Sequence, residues 1–358
     1  MQIIKYNIYR YSLTLKQPLP VKNQHITLRE GYLLSFTDEA QHSGWGEVAP
    51  LPGLHQETLE EVYPILKKIS QSFMQYRFPE QREEFLLSLA EVLQSIAQPS
   101  VRFGIEMALM ELFCQRHHLL FQQLLFPGAQ ERIEINGLLD VKRVFEDNQP
   151  VEMFSKQFRV FKVKVGRSNL DEDIRMVRHL LEVLPKAARL RLDANKSWNL
   201  HQAITFGESL PQERVEYIEE PLSDVCDLPL LAKESTIPIA LDESLTESHG
   251  FLPEGVKFLI MKPAVLGGWH SILKYKPLWQ KNKLIPVISG SFLSGIGLRW
   301  EAAIAAAIMP AERAAGLSTF LWFKEDLLSS PIELQDGSLN VSALQKIPIN
   351  YTKLNLLG

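Results

Sequence analysis

The stretch RLRLDAN, residues 189–195, alternates apolar side chains with charged or amide side chains. Successive side chains of a β-strand point to opposite faces, so Leu190 and Leu192 share one face. The other face carries Arg191, Asp193 and Asn195. Polar groups on the inner face of so apolar a strand cost free energy unless something there binds them. The stretch therefore predicts a strand that presents functional side chains at its carboxyl end.

Four further apolar runs end in the same way, with an acid or a lysine at the last strand position. They are FKVKVG at 161–166, VEYIEEP at 215–221, IPIALDES at 237–244 and VKFLIMKP at 256–263. Helical patterns occur near 169–184, 199–209, 224–234, 269–280 and 297–308. Short strands that alternate with helices are typical of βαβ units and a parallel sheet. Seven or eight such units within about 190 residues favour a barrel over an open sheet. We predict strands near 132–138, 160–165, 189–193, 215–219, 237–242, 256–261 and 284–289, with a weaker eighth at 315–320.

The first 100 residues have a different pattern. Strand signals at 3–15 and 25–38 flank a polar loop, LKQPLPVKNQ, and helical patterns follow at 58–74 and 80–97. We therefore predict an α+β domain over 1–100 and a barrel over 101–321, beginning with a helix over 101–115. The last residues, 322–358, lose the alternation and are expected to pack back on the first domain. GWGEVAPLPG at 44–53 is compatible with either a plain hairpin end or a loop over a binding site.

Composition excludes several classes of protein. The chain has 358 residues, is 46% hydrophobic and 22% charged, and carries a net charge of −4 without a basic block. These values indicate a globular protein that does not bind nucleic acid or an anionic membrane as its main partner. Its two cysteines, Cys114 and Cys226, form no C-x-x-C pair, and the N-terminus resembles a strand rather than a leader peptide. We expect a cytoplasmic protein, infer no protein partner, and leave the oligomeric state open.

Three carboxylates end successive predicted strands: Asp193, Glu219 and Asp242. In a parallel barrel these side chains converge at one mouth, where they repel one another unless a cation offsets their charge. Oxygen-only ligands suit a hard ion such as Mg²⁺. Each acid alone could instead cap a helix or lie in a solvated loop. Three acids at the same register favour the metal site.

Lysines flank these acids on the neighbouring strands. Lys162 and Lys164 share the inward face of the second strand, and Lys262 ends the sixth. Any single lysine could be a solvated surface residue, but these three lie in apolar runs. A lysine near other cations loses its proton more readily, so it can act as a general base. A substrate at the metal would thus have a lysine on each side.

The ordered set K-x-K, D-x-N, E-E-P, D-E-S and K-P resembles the muconate-lactonising branch of the enolase superfamily. That resemblance implies an enolase-like α/β fold, with an N-terminal α+β capping domain, completed by the C-terminal tail, over a modified TIM barrel, (β/α)7β. The superfamily is a known example of a lysine or histidine base used with Mg²⁺ to stabilise an ene-diolate. Four loops are similar to those of its o-succinylbenzoate synthase family: REGYLLSF at 29–36, GWGEVAPLPG at 44–53, VISGSFLSGIGL at 287–298 and GLSTF at 316–320.

The resemblance also implies a role for each candidate residue. Mg²⁺, for which Mn²⁺ can substitute, would be bound by Asp193, Glu219 and Asp242. Lys164 would abstract the proton α to the substrate carboxylate, and Lys262 would face the intermediate as a cation. The implied substrate contacts are Lys162, Arg191, Asn195, Ser289, Gly290 and Ser291. The implied reaction is a hydro-lyase step of menaquinone biosynthesis. It dehydrates the small carboxylate 2-succinyl-6-hydroxy-2,4-cyclohexadiene-1-carboxylate to o-succinylbenzoate through a metal-stabilised enediolate.

Two alternatives remain open. An N-acylamino-acid racemase or dipeptide epimerase on the same scaffold would use both lysines as bases. Dipeptide epimerases tend to carry an acidic pair after the last strand, where this chain has GLSTF. The second alternative is a non-catalytic barrel that binds a metal, and the five intact charged strand ends argue against it.

Overall fold

The structure, a computed structural model, describes residues 1–21, 24–139, 157–235, 237–247 and 252–357. Its strands are β1 Ile3–Val21, β2 Gln24–Asp38, β3 Ser43–Val48, β4 Arg132–Glu134, β5 Gly137–Leu139, β6 Val160–Lys164, β7 Arg189–Asp193, β8 Val215–Glu219, β9 Ile239–Leu241, β10 Val256–Met261, β11 Ile285–Ile288, β12 Ser338–Asn340 and β13 Asn355–Leu356. Its α-helices are α1 Leu59–Ser72, α2 Arg82–Gln94, α3 Pro99–His117, α4 Phe121–Leu125, α5 Leu170–Val183, α6 Leu200–Glu208, α7 Leu228–Glu234, α8 Glu243–Glu247, α9 Pro263–Leu266, α10 Trp269–Leu273, α11 Lys276–Asn282, α12 Gly295–Ile308 and α13 Val341–Lys346. Short 3-10 helices lie at Gln212–Arg214, Val225–Asp227, Ser318–Trp322 and Tyr351–Lys353.

The N-terminal part is an antiparallel sheet in the order β13-β1-β2-β3, covered by α3. Gly44 and Gly46 allow this packing, because a Cβ atom at either position would collide with the backbone of α3. The predicted polar loop at 15–24 is wrong over most of its length. β1 continues to Val21 and pairs with β2 beyond a register shift between Thr14 and Leu19, while residues 22–23 of that loop lie outside the described part.

The second sheet contains the predicted parallel strands in the order β11-β10-β9-β8-β7-β6-β5. Two isolated parallel bridges join its ends: Ala315 pairs with Ile135, and Gly316 pairs with Ser289. The predicted α/β barrel with an N-terminal cap is thereby confirmed, but the eighth strand at 315–320 is wrong. Only its first two residues form bridges, and the chain turns into a 3-10 helix at Ser318–Trp322.

The predicted first barrel strand, 132–138, is divided into two. β4 pairs antiparallel with β12 from the C-terminal segment, whereas β5 pairs with β6 inside the barrel. The predicted boundary at residue 100 falls within α3, which packs on the first sheet and also contacts α9. These domain limits therefore stay predictions.

Buried carboxylates join the cap to the helices of the barrel. On β3, Glu47 accepts hydrogen bonds from the backbone N–H of Ser294 at 2.9 Å and of Gly297 at 2.8 Å, at the start of α12. On α3, Glu106 accepts from the N–H of His270 at 2.9 Å, at the start of α10. Helix N-termini expose N–H groups without intrahelical partners, so a carboxylate from the cap satisfies them. The cap is thus fixed at the mouth of the barrel.

Among the described helices, none combines the length and the apolar character needed to cross a bilayer.

Candidate active site

A cavity of about 600 Å³ lies between the cap and the carboxyl ends of the barrel strands. The cap contributes the end of β1, from Gln17 to Val21, together with Leu51, Gly53 and Leu54. The barrel contributes most of the predicted polar site residues: Lys162, Lys164, Asp193, Asn195, Asp242, Lys262, Ser289 and Gly290. Ligand sites of barrel enzymes lie at this end of the strands, so the cavity is the candidate active site.

The strand register brings the three acids together. Asp193 pairs with Lys164 on one side and with Glu219 on the other, and Asp242 directly follows β9. All three acids are buried, with relative exposures between 1% and 7%. Burial and repulsion from Asp193 raise the pKa of Glu219 well above its usual value, which shows how closely the carboxylates are crowded.

Lys162 lies among these acids. Its ammonium donates to both Glu219 oxygens, at 2.8 and 2.7 Å, and is 2.9 Å from the Asp193 carboxylate. Burial alone would lower the pKa of Lys162, but the surrounding carboxylates outweigh it and raise that pKa well above the ordinary lysine value. Lys162 is therefore a fixed cation between two acids.

The other two lysines differ from each other. Lys262 donates to Asp242, whose charge overcomes the effect of burial and raises the pKa of Lys262. The side chain of Lys164 is the more exposed of the two. Its pKa is lowered, mainly because surrounding atoms bury the amine. The positive charges of Lys162 and Arg167 also lower this pKa, whereas the Asp193 carboxylate raises it. Of the three cavity lysines, Lys162 and Lys262 are thus held as cations, whereas Lys164 has a lowered pKa.

The acids fit a hard divalent cation by their chemistry. Three buried carboxylates that repel one another need a positive charge, and the structure supplies it through the ammonium groups of Lys162 and Lys262. Among the described residues, no three His, Cys, Asp or Glu side chains are arranged to hold a metal ion directly. The donor set itself is the oxygen-only kind that Mg²⁺ prefers.

Two predicted substrate contacts on β7 have different positions. Asn195 lines the cavity, and its Nδ2 donates to Asp193 Oδ1 at 2.6 Å, so it holds that carboxylate in place. Arg191 is 1% exposed and lies outside the cavity wall, contrary to the predicted substrate contact. Its Nε donates to Glu216 at 2.6 Å and its Nη1 to Asn136 at 3.1 Å. Asn136 lines the cavity, so Arg191 supports the wall from behind.

The predicted loop at 289–291 is only partly in the wall. Ser289 and Gly290 line the cavity, but Ser291 is fully buried behind them and its backbone bonds to Glu301. A Cβ atom on Gly290 would lie 3.0 Å from Thr319 Oγ1 and 3.2 Å from Glu301 Oε2, so glycine is needed for close packing here. The direct contact predicted for Ser291 is therefore not supported by its position.

Sequence reasoning missed Glu220, the second acid of the E-E-P motif. Its carboxylate accepts from the backbone N–H of Asp242 at 2.7 Å and of Ser244 at 2.8 Å, and from the Ser244 hydroxyl at 2.7 Å. Glu220 therefore fixes the backbone that carries Asp242. The adjacent pair of acids in VEYIEEP was the sequence signal for this role. One acid at the end of the strand is enough to supply a carboxylate to the site, so the second acid needs another explanation.

Two family descriptions match the chain in succession. "MenC, N-terminal domain" matches residues 3–112, and "Enolase C-terminal domain-like" matches residues 148–345, which is more than half of the chain.

Curated relatives agree with these matches. The chain is 30% identical to the o-succinylbenzoate synthase of Vibrio cholerae serotype O1 (strain M66-2), over 95% of both chains. It is 28% identical to that of Klebsiella pneumoniae (strain 342), over 95% of this chain and 98% of the relative. It is also 26% identical to Protein PHYLLO, chloroplastic, of Arabidopsis thaliana, of which it spans 21% of the length.

Solved structures share the fold. The muconate lactonizing enzyme from Pseudomonas fluorescens complexed with muconolactone matches with a TM-score of 0.82 and 19% identity, over 98% of each chain. The dipeptide epimerase from Cytophaga hutchinsonii complexed with Mg and dipeptide D-Ala-L-Val matches with a TM-score of 0.81 and 19% identity, over 100% of this chain and 99% of that chain. The site geometry, both family matches and the relatives agree with the resemblance predicted from the motifs. The chain therefore belongs to the enolase superfamily and, within it, to the o-succinylbenzoate synthase family of lyases.

Proposed function

We propose that the chain dehydrates 2-succinyl-6-hydroxy-2,4-cyclohexadiene-1-carboxylate to o-succinylbenzoate. One observation carries the proposal most directly: Lys164 and Lys262 face one cavity from opposite sides of the buried carboxylates. Of these two lysines, only Lys262 is hydrogen-bonded to one of the acids in the described part of the structure. A dehydration needs one base and one group that stays cationic, and this pair has that asymmetry.

Lys164 acts as the base. Burial lowers the pKa of Lys164, and in the proposed step its Nζ takes the proton α to the substrate carboxylate. The C–H electrons then form the enediolate of that carboxylate. The enediolate electrons next form a C=C bond between the former α-carbon and the neighbouring ring carbon, whose C–O bond breaks. Hydroxide leaves with the electron pair of that C–O bond, and the proton taken by Lys164 completes the water, so the ring becomes aromatic. Lys262, held as an ammonium by Asp242, stabilises the negative charge from the other side.

Asp193, Glu219 and Asp242 would hold Mg²⁺ or, as a substitute, Mn²⁺. When bound, the ion supplies positive charge opposite the charge that develops on the substrate carboxylate. Asn195 orients Asp193, and Glu220 fixes the backbone of Asp242, so this chain holds the acids in place from two sides.

The remaining contacts would orient the substrate. Ser289 and Gly290 form one wall of the cavity, where the Ser289 hydroxyl can bind the succinyl carboxylate. The backbone N–H groups of Ser289 and Gly290 already donate to the carbonyls of Met261 and Gly316, each at 2.9 Å. Leu51 and Leu54 of the cap add apolar surface to the cavity wall. We propose small-molecule carboxylates as the ligand class of this cavity.

A racemase or epimerase activity is the second candidate, because both lysines line the same cavity as a 1,1-proton transfer requires. Two observations disfavour it. Lys262 is paired with Asp242 and is a poor base in that state. The wall at residues 316–320, GLSTF, contains Gly316, Ser318 and Thr319 and no acid that could bind a substrate ammonium.

Assays in D₂O separate the two candidates. The purified enzyme with Mg²⁺ is given the cyclohexadiene carboxylate in one experiment and an N-succinyl amino acid in another. We expect rapid formation of the aromatic product and, at most, slow exchange of the α-proton of the amino acid. Rapid racemisation with deuterium incorporation and no aromatic product would instead assign the racemase function. Lys186→Ala, at an exposed position away from the cavity, is the matched control for Lys164→Ala, the variant that removes the proposed base.

A further inference from the structure

The cap segment at residues 49–55 forms part of the cavity wall through Leu51, Gly53 and Leu54. Arg29 ties the start of this segment to the barrel. Its guanidinium is buried and donates to the carbonyls of Ala49 and Pro50, the latter at 3.0 Å. The same side chain donates to the carbonyl of Phe292 at 2.9 Å, and Phe292 lines the cavity after β11. One end of the segment is thus bound to a barrel loop.

His55 ties the other end of the segment. The backbone N–H of Leu51 lies 3.0 Å from His55 Nδ1, and His55 Nε2 lies 3.2 Å from the carbonyl oxygen of Ala264. A backbone N–H can only donate, so Nδ1 is the acceptor and the ring proton of neutral His55 is on Nε2. Nε2 then donates to Ala264. The two bonds are satisfied together only by the neutral ring in this tautomer.

The second tie ends close to the catalytic machinery. Ala264 lies two residues after Lys262, in the helical turn α9, and the carbonyl of Lys262 accepts from Val265 and Leu266 in that turn at 3.0 and 2.9 Å. His55 itself is half-buried and lies outside the cavity wall. It can therefore affect the reaction only by positioning its neighbours.

We infer that neutral His55 is a positioning residue that fastens the cap segment 49–55 to the turn carrying Lys262. The expected effect on turnover rests on the proposed function, whereas the fastening of the segment does not depend on it. The charged groups acting on the ring are Glu57 of the same segment, which raises its pKa, and Arg29 of β2, which lowers it; α9 contributes an uncharged carbonyl. Burial has the largest effect and lowers the pKa of His55, which favours the neutral ring.

Three substitutions separate the two bonds. His55→Ala removes both bonds. His55→Asn places an acceptor near the Nδ1 position, and His55→Gln places a donor near the Nε2 position. Gln56→Ala, at the exposed neighbouring residue, is the matched control. Amide hydrogen exchange of the full chain, without substrate, reports opening of residues 49–56 relative to α12. KM and kcat are measured with the cyclohexadiene carboxylate.

We expect His55→Ala to raise exchange of residues 49–56 by about tenfold or more, since it removes two hydrogen bonds and each contributes up to about that factor. KM should rise more than kcat falls, and α12 should exchange as in the parent. In His55→Gln, KM should return part of the way to the parent value.

In the parent, protection of this segment should fall as pH drops through the pKa of His55, because the protonated ring turns a second N–H toward Leu51. Exchange in His55→Ala equal to that in Gln56→Ala would overturn the inference, whether or not the enzyme turns over this substrate. Faster exchange in His55→Ala, together with a parent enzyme that does not turn over this substrate, would support the fastening by His55. That result would refute the proposed function instead.

Discussion

Lys162 and Lys164 lie two residues apart on the same face of β6, yet their surroundings give them different chemistry. Lys162 is enclosed by the Asp193 and Glu219 carboxylates, whereas Lys164 is nearer to solvent and its pKa is lowered. The K-x-K spacing predicts that both point inward, but spacing does not show which carboxylates each ammonium meets. That distinction depends on the register between β6 and β7, where Lys164 pairs with Asp193.

Lys164→Ala should be folded and inactive. Loss of the base should lower kcat by at least about 100-fold, the usual contribution of general base catalysis. Because Lys164 is exposed in the cavity, the free energy of unfolding should change by less than about 1 kcal/mol. Steady-state kinetics and urea denaturation measure the two effects. Substantial residual dehydration, or a variant that unfolds readily, would place the base elsewhere.

Glu111 gives a pH dependence of stability at a site distant from the cavity. This residue of α3 is buried, and its carboxylate accepts a hydrogen bond from the Trp45 N–H at 2.6 Å. The nearest guanidinium nitrogen of Arg299 lies 3.8 Å from that carboxylate. Burial raises the pKa of Glu111 from 4.5 to about 7, although Arg299 and Trp45 oppose the shift. Between these values the native state binds the proton more tightly than the unfolded chain, so the contribution of Glu111 to stability falls as pH rises.

Glu111→Gln removes this contribution. Relative to the parent, the variant should gain stability between pH 4.5 and pH 7, by up to about 3 kcal/mol across the interval. Urea denaturation at several pH values measures the difference between the two proteins. Glu91→Gln, at an exposed position on α2, should show no such trend. A difference that is constant with pH, or that changes in the opposite direction, would contradict the raised pKa.

At the scale of elements, carboxylates at helix N-termini explain how the cap is held. Glu47→Ala should destabilise the protein by about 3 kcal/mol or more, because it leaves the N–H groups of Ser294 and Gly297 and the Tyr11 hydroxyl buried without their acceptor. Thermal or urea denaturation measures the loss. Glu91→Ala should be nearly neutral, and equal stability of the two variants would refute this account of the α12 N-terminus.

Local signals predicted some elements well and others poorly. Strands such as β7 and β8 were predicted at their observed positions, because alternation and charged ends mark them clearly. The predicted helix at 269–280 is instead two helices, α10 and α11, and Pro277 lies in the first turn of the second. Proline begins helices readily but cannot continue one, so a residue pattern that spans it overestimates the length.

At the scale of the whole molecule, the sequence predicted the lysines and two of the acids that line the cavity, whereas Glu219 is buried outside the wall, where Lys162 donates to it. Their motifs fall at the ends of strands, and parallel strands bring such ends together. Arg191 and Ser291 were misplaced because alternation shows which face a residue occupies but not how deep it lies. Arg191 is bonded to Glu216 of β8, and the Ser291 backbone to Glu301 of α12; alternation along one strand predicts neither contact.

A cation that binds the folded site should stabilise the whole molecule. Millimolar Mg²⁺ should raise the melting temperature of the parent, since a ligand that binds only the native state shifts the folding equilibrium. Asp193→Asn should lose most of this increase, whereas Asp171→Asn, on the first turn of α5 outside the cavity, should keep it. Differential scanning calorimetry provides the measurement. An equal increase in both variants would assign the effect to nonspecific ion binding.

We propose that this chain catalyses a lysine-dependent dehydration that requires a divalent cation at Asp193, Glu219 and Asp242. The most direct measurement is turnover of 2-succinyl-6-hydroxy-2,4-cyclohexadiene-1-carboxylate by the purified chain, with Mg²⁺ and then with excess chelator. The account predicts o-succinylbenzoate with Mg²⁺, a rate lower by about 100-fold or more in chelator, and recovery when Mg²⁺ or Mn²⁺ is restored. An undiminished rate in chelator, or no aromatic product with Mg²⁺, would contradict it.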